Sequence, residues 1–211
     1  MTKLFFICLL FLSSNLFAQD QKKENRAYSP YFNGDFVELS FRTGLSKLAS
    51  DPPVIEKVPE SGQRFELGLR QALPMHLLDT RLALSYEVFP IRSQDSEIAL
   101  WGIDISGAFH PFYLALLFEN WFAWVLASIY VEAGAGIQYA TLDNTNDVGF
   151  SYSFGGGFDL PLWNPNHGWS LWLNGLYRYR RLDFDNDSSE IALHNHTFFA
   201  GLAIRWNGLL F

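Results

Sequence analysis

Apolar and polar residues alternate along most of this chain after residue 34, and the alternation has the two-residue period of a β-strand. In "IYVEAGAGIQYA" (129–140), Ile129, Val131, Ala133, Ala135, Ile137 and Tyr139 fall on one face. Tyr130, Glu132, Gly134, Gly136 and Gln138 fall on the other. A helical reading would scatter the same residues around an axis. Seven further segments sort in the same way: "GDFVELSFRTGL", "QRFELGLRQAL", "TRLALSYEVF", "EIALWGIDISGAF", "GFSYSFGGGFDL", "WSLWLNGLYRYR" and "HTFFAGLAIRW". Each has an uncharged apolar face, such as Leu39, Phe41 and Leu45 or Trp101, Ile103 and Ile105. The opposite face holds nearly all the charge.

Eight strands of this kind fit two architectures. A water-soluble sandwich or lipocalin-like barrel buries the apolar faces and exposes the charges. A membrane barrel turns the apolar faces to lipid and closes on the polar side. Aromatics at the strand ends, with Tyr139, Tyr177 and Tyr179 at one level and Trp169 and Trp206 at the other, favour the membrane barrel. The expected fold is therefore all-β: an eight-stranded antiparallel transmembrane up-and-down barrel over 34–211. Short turns such as "LPMHLLD" and "LPLWNPNHG" belong on the periplasmic side, and the outer loops are expected at 46–62, 91–96, 142–148 and 183–190. "HPFYLALLFENWFAWVLA" (110–127) breaks the alternation, and Glu119 and Asn120 make a spanning helix costly there. It is expected to form a short interfacial, helical element from about Pro111 to Phe122.

Composition sharpens this picture. Aromatic residues make up 17% of the chain, yet mean hydropathy is only +0.03, as two-faced strands allow and membrane helices do not. The start, "MTKLFFICLLFLSSNLFAQD", has a basic residue, a short apolar core and a small-residue end. It reads as a signal peptide over 1–18, cut after Ala18, with a polar lead-in over 19–33. The apolar core is too short to span a bilayer, and Cys8 lies too early, behind bulky Phe6 and Ile7, for a lipoprotein. Removing 1–18 takes away Lys3 and moves the net charge from −7 to −8. It also removes the single cysteine, so disulfide and thiolate chemistry are absent from the exported chain. An acidic chain is not a general nucleic-acid binder.

With its signal peptide, eight two-faced strands, last strand "FFAGLAIRW" and terminal Phe211, the mature chain resembles the small OmpA/OmpX-type outer-membrane barrels. The resemblance implies a monomer in the outer membrane of a Gram-negative-type envelope, in contact with outer-membrane lipid and lipopolysaccharide. It also implies that the barrel-assembly machinery reads a terminal aromatic. Here "NGLLF" breaks the phase after Trp206, so Trp206 and Phe211 both qualify.

The inward faces carry Glu38, Glu66, Glu87, Asp104, Glu132 and Asp159 against Arg42, Arg64, Arg70, Arg81, Arg178, Arg180 and Arg205. An eight-stranded barrel has room inside for little but side chains, so these groups are expected to form an ion-pair core. The alternative is a narrow gated pore. His194 and His196 share the lipid-facing side of the last strand, near the headgroup level. With Ser188, Ser189 and Glu190 nearby they are candidates for a Ser-His-acid site. The barrel lipid A deacylases carry His-x-Ser-Asn; here the positions read His194-Asn195-His196-Thr197, without the serine. Barrel palmitoyltransferases have an amphipathic N-terminal helix, for which 20–33 is too polar. Asp183, Asp185 and Asp187, spaced by two with Glu190 beyond, resemble a calcium loop lacking its glycine. The expectation is a solvated acidic loop, with no resident metal or cofactor. The leading functional reading is a structural or surface-interaction barrel acting through its outer loops. A lipid A-modifying enzyme comes second and a small channel third.

Overall fold

The computed structural model describes residues 36–51, 61–72, 77–91, 96–118, 121–142, 145–163, 169–186 and 189–207. Eight antiparallel strands close in chain order into one barrel: β1 (Phe36–Asp51), β2 (Gly62–Ala72), β3 (Leu78–Ile91), β4 (Ser96–Phe109), β5 (Tyr130–Leu142), β6 (Thr145–Trp163), β7 (Trp169–Asn186) and β8 (Ser189–Asn207). β1 pairs with β8 from Phe36↔Asn207 to Asp51↔Ala192, so no strand edge is left open. Closure is what a strand needs in hydrocarbon, where no water can satisfy an edge N–H or C=O.

The faces fall as the alternation predicts. Leu45, Ile103, Ile105, Phe150, Phe154 and Phe198 lie on the outside, all more than half exposed. The inner faces hold buried arginines and carboxylates. This is the inverse of a water-soluble barrel, and the chain is a transmembrane barrel. Tyr86, Trp101 and Tyr139 stand side by side on β3, β4 and β5, with the Tyr86 and Trp101 rings 4.1 Å apart. At the end that carries the described termini, Trp169 pairs with Trp206, and Trp163 packs edge-on to Trp169 at 4.8 Å.

Two expectations about connections need correction. β1, β6, β7 and β8 run well past the expected loop boundaries, so much of 46–62, 142–148 and 183–190 is strand. Spanning strands need about 9–11 residues. At 18 residues, β7 continues beyond the hydrocarbon, where polar alternation no longer marks strand from loop. The second correction concerns 110–127. It forms a 3₁₀ turn (Tyr113–Phe118) and then a helix, α1 (Trp121–Ala127), so the helical part outlasts the expected end at Phe122. No described helix is long and apolar enough to cross a membrane. Phe112, Leu114 and Phe122 are exposed on this element, beside the inner end of β4. That suits a segment lying in a membrane interface. The proposed signal peptide, the lead-in and Phe211 lie outside the described residues.

Candidate functional site

The barrel interior is stacked in layers. Near the termini, Arg205 donates from Nε to Glu38 at 2.7 Å and also bridges to Asp159. Arg70 donates to Asp159 at 2.8 Å and from Nε to Asp79 at 2.7 Å. Asn174 takes the second Asp159 oxygen at 2.5 Å. The Arg205 guanidinium lies 3.9 Å from the Trp172 ring centre and 4.4 Å from that of Phe36, so aromatic faces cover the charge from below.

The middle layer centres on Glu66. Arg81 approaches it at 2.9 Å and Arg178 at 2.5 Å, with Arg64 at 3.7 Å and Arg42 at 3.8 Å. Arg178 also donates from Nε to Glu132 at 2.7 Å. Glu132, near the start of β5, therefore faces the lumen, and its partner comes from β7. In the next layer Asp104 accepts from Arg64 at 2.8 Å and from Gln138 at 2.9 Å. Glu87 accepts from Arg180 and, at 2.6 Å, from Asn195.

All thirteen charged residues named from the sequence are buried here. Two more belong with them. Asp79 raises the inward acids among the described residues to seven, equal to the seven arginines. His110 sits 2.7 Å from Asp79 through Nε2 and 3.2 Å from the Ala127 carbonyl through Nδ1, tying the end of α1 to the wall. Parity could have found both. Asp79 continues the inward series of Arg81, Ala83 and Ser85, and His110 that of Asp104, Ser106 and Ala108. Asp79 stands in the expected turn "LPMHLLD", and His110 at the start of the segment that breaks the alternation, so neither was counted with the inward faces.

The top of the lumen holds no charge among its buried residues. Leu48, Phe89, Leu100, Leu182, Phe184 and Leu193 point inward from β1, β3, β4, β7 and β8 and pack together. This apolar cap lies outward of the charged layers. Sequence alternation did not announce it, because at that level Lys47, Arg181 and Asp183 face outward and the apolar residues turn inward, the reverse of the pattern in the hydrocarbon region.

Glycines on the inner face make room for polar neighbours. A Cβ at Gly102 would strike the Gln138 side chain, and one at Gly68 the Arg81 guanidinium. Gly134 and Gly136 make room for the neighbouring β4: Gly134 lies against Ser106, and Gly136 against the Asp104 carboxylate.

A closed eight-stranded wall, apolar outside and ion-paired within, decides the architecture. It is an eight-stranded transmembrane barrel, the architecture that the resemblance to the small OmpA/OmpX-type barrels implied. No family model and no curated protein sequence matches the chain. Among solved structures it is similar to Neisserial surface protein A, with 13% identity, 81% of this chain and 96% of that one covered, and a TM-score of 0.49. It is also similar to Ail, the attachment invasion locus protein of Yersinia pestis, with 13% identity, 80% and 98% covered and a TM-score of 0.47. The outer membrane protein AlkL shows 11% identity, 90% and 96% covered and a TM-score of 0.40. The likeness is one of fold.

The other candidate sites do not assemble as the sequence pattern allowed. His194 and His196 point outward from β8, each held by a tyrosine of β7. Tyr179 Oη lies 2.5 Å from His194 Nδ1, and Tyr177 Oη lies 2.7 Å from His196 Nδ1. Ser189 and Glu190 belong to the same continuous strand. At about 3.3 Å per residue, five and four residues place them roughly 16 and 13 Å from His194, beyond hydrogen-bond reach. Ser189 and Glu190 thus stand apart from His194 along the strand, and Ser188 lies outside the described residues. Asp183 and Asp185 likewise stand on β7, and Asp183 accepts from Arg181 at 2.8 Å. An extended strand spreads such residues in a line instead of curling them around an ion. Among the described residues no group of three acids, histidines or cysteines could hold a metal, and Asp187 lies outside them.

Proposed function

We propose that this protein is a non-conducting barrel of the outer membrane with a structural or surface-interaction role exercised at its outer end. The observation that carries this reading is the filled lumen. Three charged layers and an apolar cap occupy the space through which an ion would pass. Permeation would have to separate fully buried ion pairs and wet a dry hydrocarbon cluster. With transport set aside, the outward ends of the strands and their connections remain as the working surface. No described side-chain arrangement favours the enzyme reading.

Two measurements test this. Reconstituted in planar bilayers, the protein is expected to pass no steady current of porin size. Asp104→Ala, which removes a central carboxylate beneath the cap, is expected to lower stability and leave conductance at baseline. A steady porin-like current from the native protein would overturn the closed-lumen reading and make the chain a channel. The second concerns location. The protein should fractionate with the outer membrane and migrate differently on gels before and after boiling. Recovery in the soluble periplasm without detergent would overturn the membrane placement.

A further inference from the structure

The outer faces of β1, β8 and β7 carry a polar cluster directly above an apolar groove. Lys47 is paired across the sheet with His196, and His196 with Tyr179. One row further out, His194 is paired with Arg181. Directly paired residues of one face bring their Cβ atoms within about 5 Å. Four basic side chains therefore share one patch, with Asp183 the carboxylate beside Arg181. Where the Tyr177 and Tyr179 hydroxyls donate to Nδ1 of His196 and His194, each ring carries its proton on Nε2 and can donate outward while neutral.

Below the histidines the same strands change character. Tyr177 pairs with Phe198, then Gly175 with Ala200, then Leu173 with Leu202. A groove of about 360 Å³ opens here, with Gly175 and Ala200 at its base and Phe158, Leu173, Tyr177 and Phe198 around it. From His196 to Leu202 the strand rises about 20 Å, or about 15 Å along the membrane normal at a tilt near 40°. That is about half of a 30 Å hydrocarbon core. The groove itself runs from Tyr177 to Leu173, about 13 Å along the strand or about 10 Å along the normal, and lies within one leaflet below the basic patch.

We infer that β7, β8 and β1 form a binding site for a phosphorylated, acylated lipid of the outer leaflet. Its phosphate would lie among Lys47, Arg181, His194 and His196, and one acyl chain along the groove. The occupant follows from complementarity. A cationic, N–H-rich edge fits a phosphate, and a groove within the same leaflet, lined by aromatic and small residues, fits part of an acyl chain. The inference rests on the membrane placement proposed above.

The test uses full-length barrel refolded in a neutral detergent. Native mass spectrometry and competition measurements would use lipid A, dephosphorylated lipid A and inorganic phosphate as probes. Lipid A is expected to be retained by the native barrel. K47Q/H196Q should weaken retention about tenfold, as loss of charge-assisted hydrogen bonds implies. A200F, which fills the groove without touching the basic edge, should also weaken it. The boiled-versus-unboiled gel shift serves as the folding check for each variant. Equal retention of dephosphorylated lipid A would overturn phosphate recognition. Full competition by inorganic phosphate, with A200F unchanged, would reduce the patch to a free-anion site and overturn lipid recognition. Retention unchanged in folded K47Q/H196Q would overturn the assigned residues. Any of these results, obtained with a protein that still fractionates with the outer membrane, sinks the site and leaves the barrel reading standing.

Discussion

Glu66→Ala is expected to destabilise the barrel by about 3–5 kcal/mol, the cost of leaving buried charge without its partner. Glu66 is fully buried and has four arginines within 4 Å, from β1, β2, β3 and β7. Removing the carboxylate leaves mutual repulsion among cations that cannot reach water. Arg178 still has Glu132 at 2.6 Å, and Arg64 still has Asp104 at 2.8 Å. Arg81 is left donating to the Ser40 hydroxyl at 3.0 Å. The loss therefore concentrates at the centre of the wall formed by β1, β2 and β3. Glu66→Gln keeps the volume and one acceptor but not the charge, so it should fall between the wild type and the alanine variant. Glu97→Ala, at an exposed position of β4, should change stability by about 0.5 kcal/mol or less. Urea unfolding in detergent, followed by tryptophan fluorescence, measures all three. If Glu66→Ala and Glu97→Ala unfold at the same midpoint, the central layer is not an ion-pair network that supports the fold.

Legibility in the sequence followed the physics that wrote the pattern. Within the hydrocarbon region, lipid on one side and a charged lumen on the other force every second residue to be apolar. There the faces of β2, with Phe65 and Leu67 outward and Arg64 and Glu66 inward, could be read directly. Above that region the constraint disappears. Leu182 and Phe184 point inward and Arg181 and Asp183 outward, reversing the chemistry of Arg178 and Arg180 on the inward side of the same strand. A stretch such as 183–190 then resembles a loop by composition while pairing as a strand up to Asn186↔Ser189. The pairing of particular arginines with particular acids was not legible either. It depends on how far across the barrel a side chain reaches. Arg178 joins Glu132, two strands away through β6, and also Glu66 on the far wall. The helical element was visible as a break in alternation, but its extent to Ala127 depends on docking. Ser128 donates to the Asp159 carbonyl at 2.5 Å, and His110 meets the Ala127 carbonyl.

Arginine placed at two adjacent positions of β4 is expected to fail for opposite reasons. Ile103 faces outward, 55% exposed, between Leu84 and Ile137 on the neighbouring strands. Six residues separate it from Phe109 at the inner end of β4 and two from Trp101 in the aromatic row with Tyr86 and Tyr139, which places it within the hydrocarbon span. Ile103→Arg puts a guanidinium in hydrocarbon and should cost up to about 2–4 kcal/mol. Gly102 faces inward, and even a Cβ there collides with the Gln138 side chain. Gln138 in turn donates to Asp104 at 2.9 Å and accepts from Arg180 at 3.2 Å. Gly102→Arg therefore crowds the lumen, adds an eighth cation and breaks the Asp104–Gln138–Arg180 link within the charged layer nearest the cap. Lipid thickness separates the two causes. Shorter acyl chains bring the headgroups closer to Ile103, so an outward arginine reaches water sooner and its penalty should shrink. The Gly102→Arg penalty originates inside the wall and should not follow chain length. Folding yield and unfolding midpoint in vesicles of short- and long-chain phosphatidylcholine provide the comparison. If Ile103→Arg is tolerated in the long-chain bilayer, β4 does not present that face to lipid. If both penalties track thickness equally, the inward assignment of Gly102 is wrong.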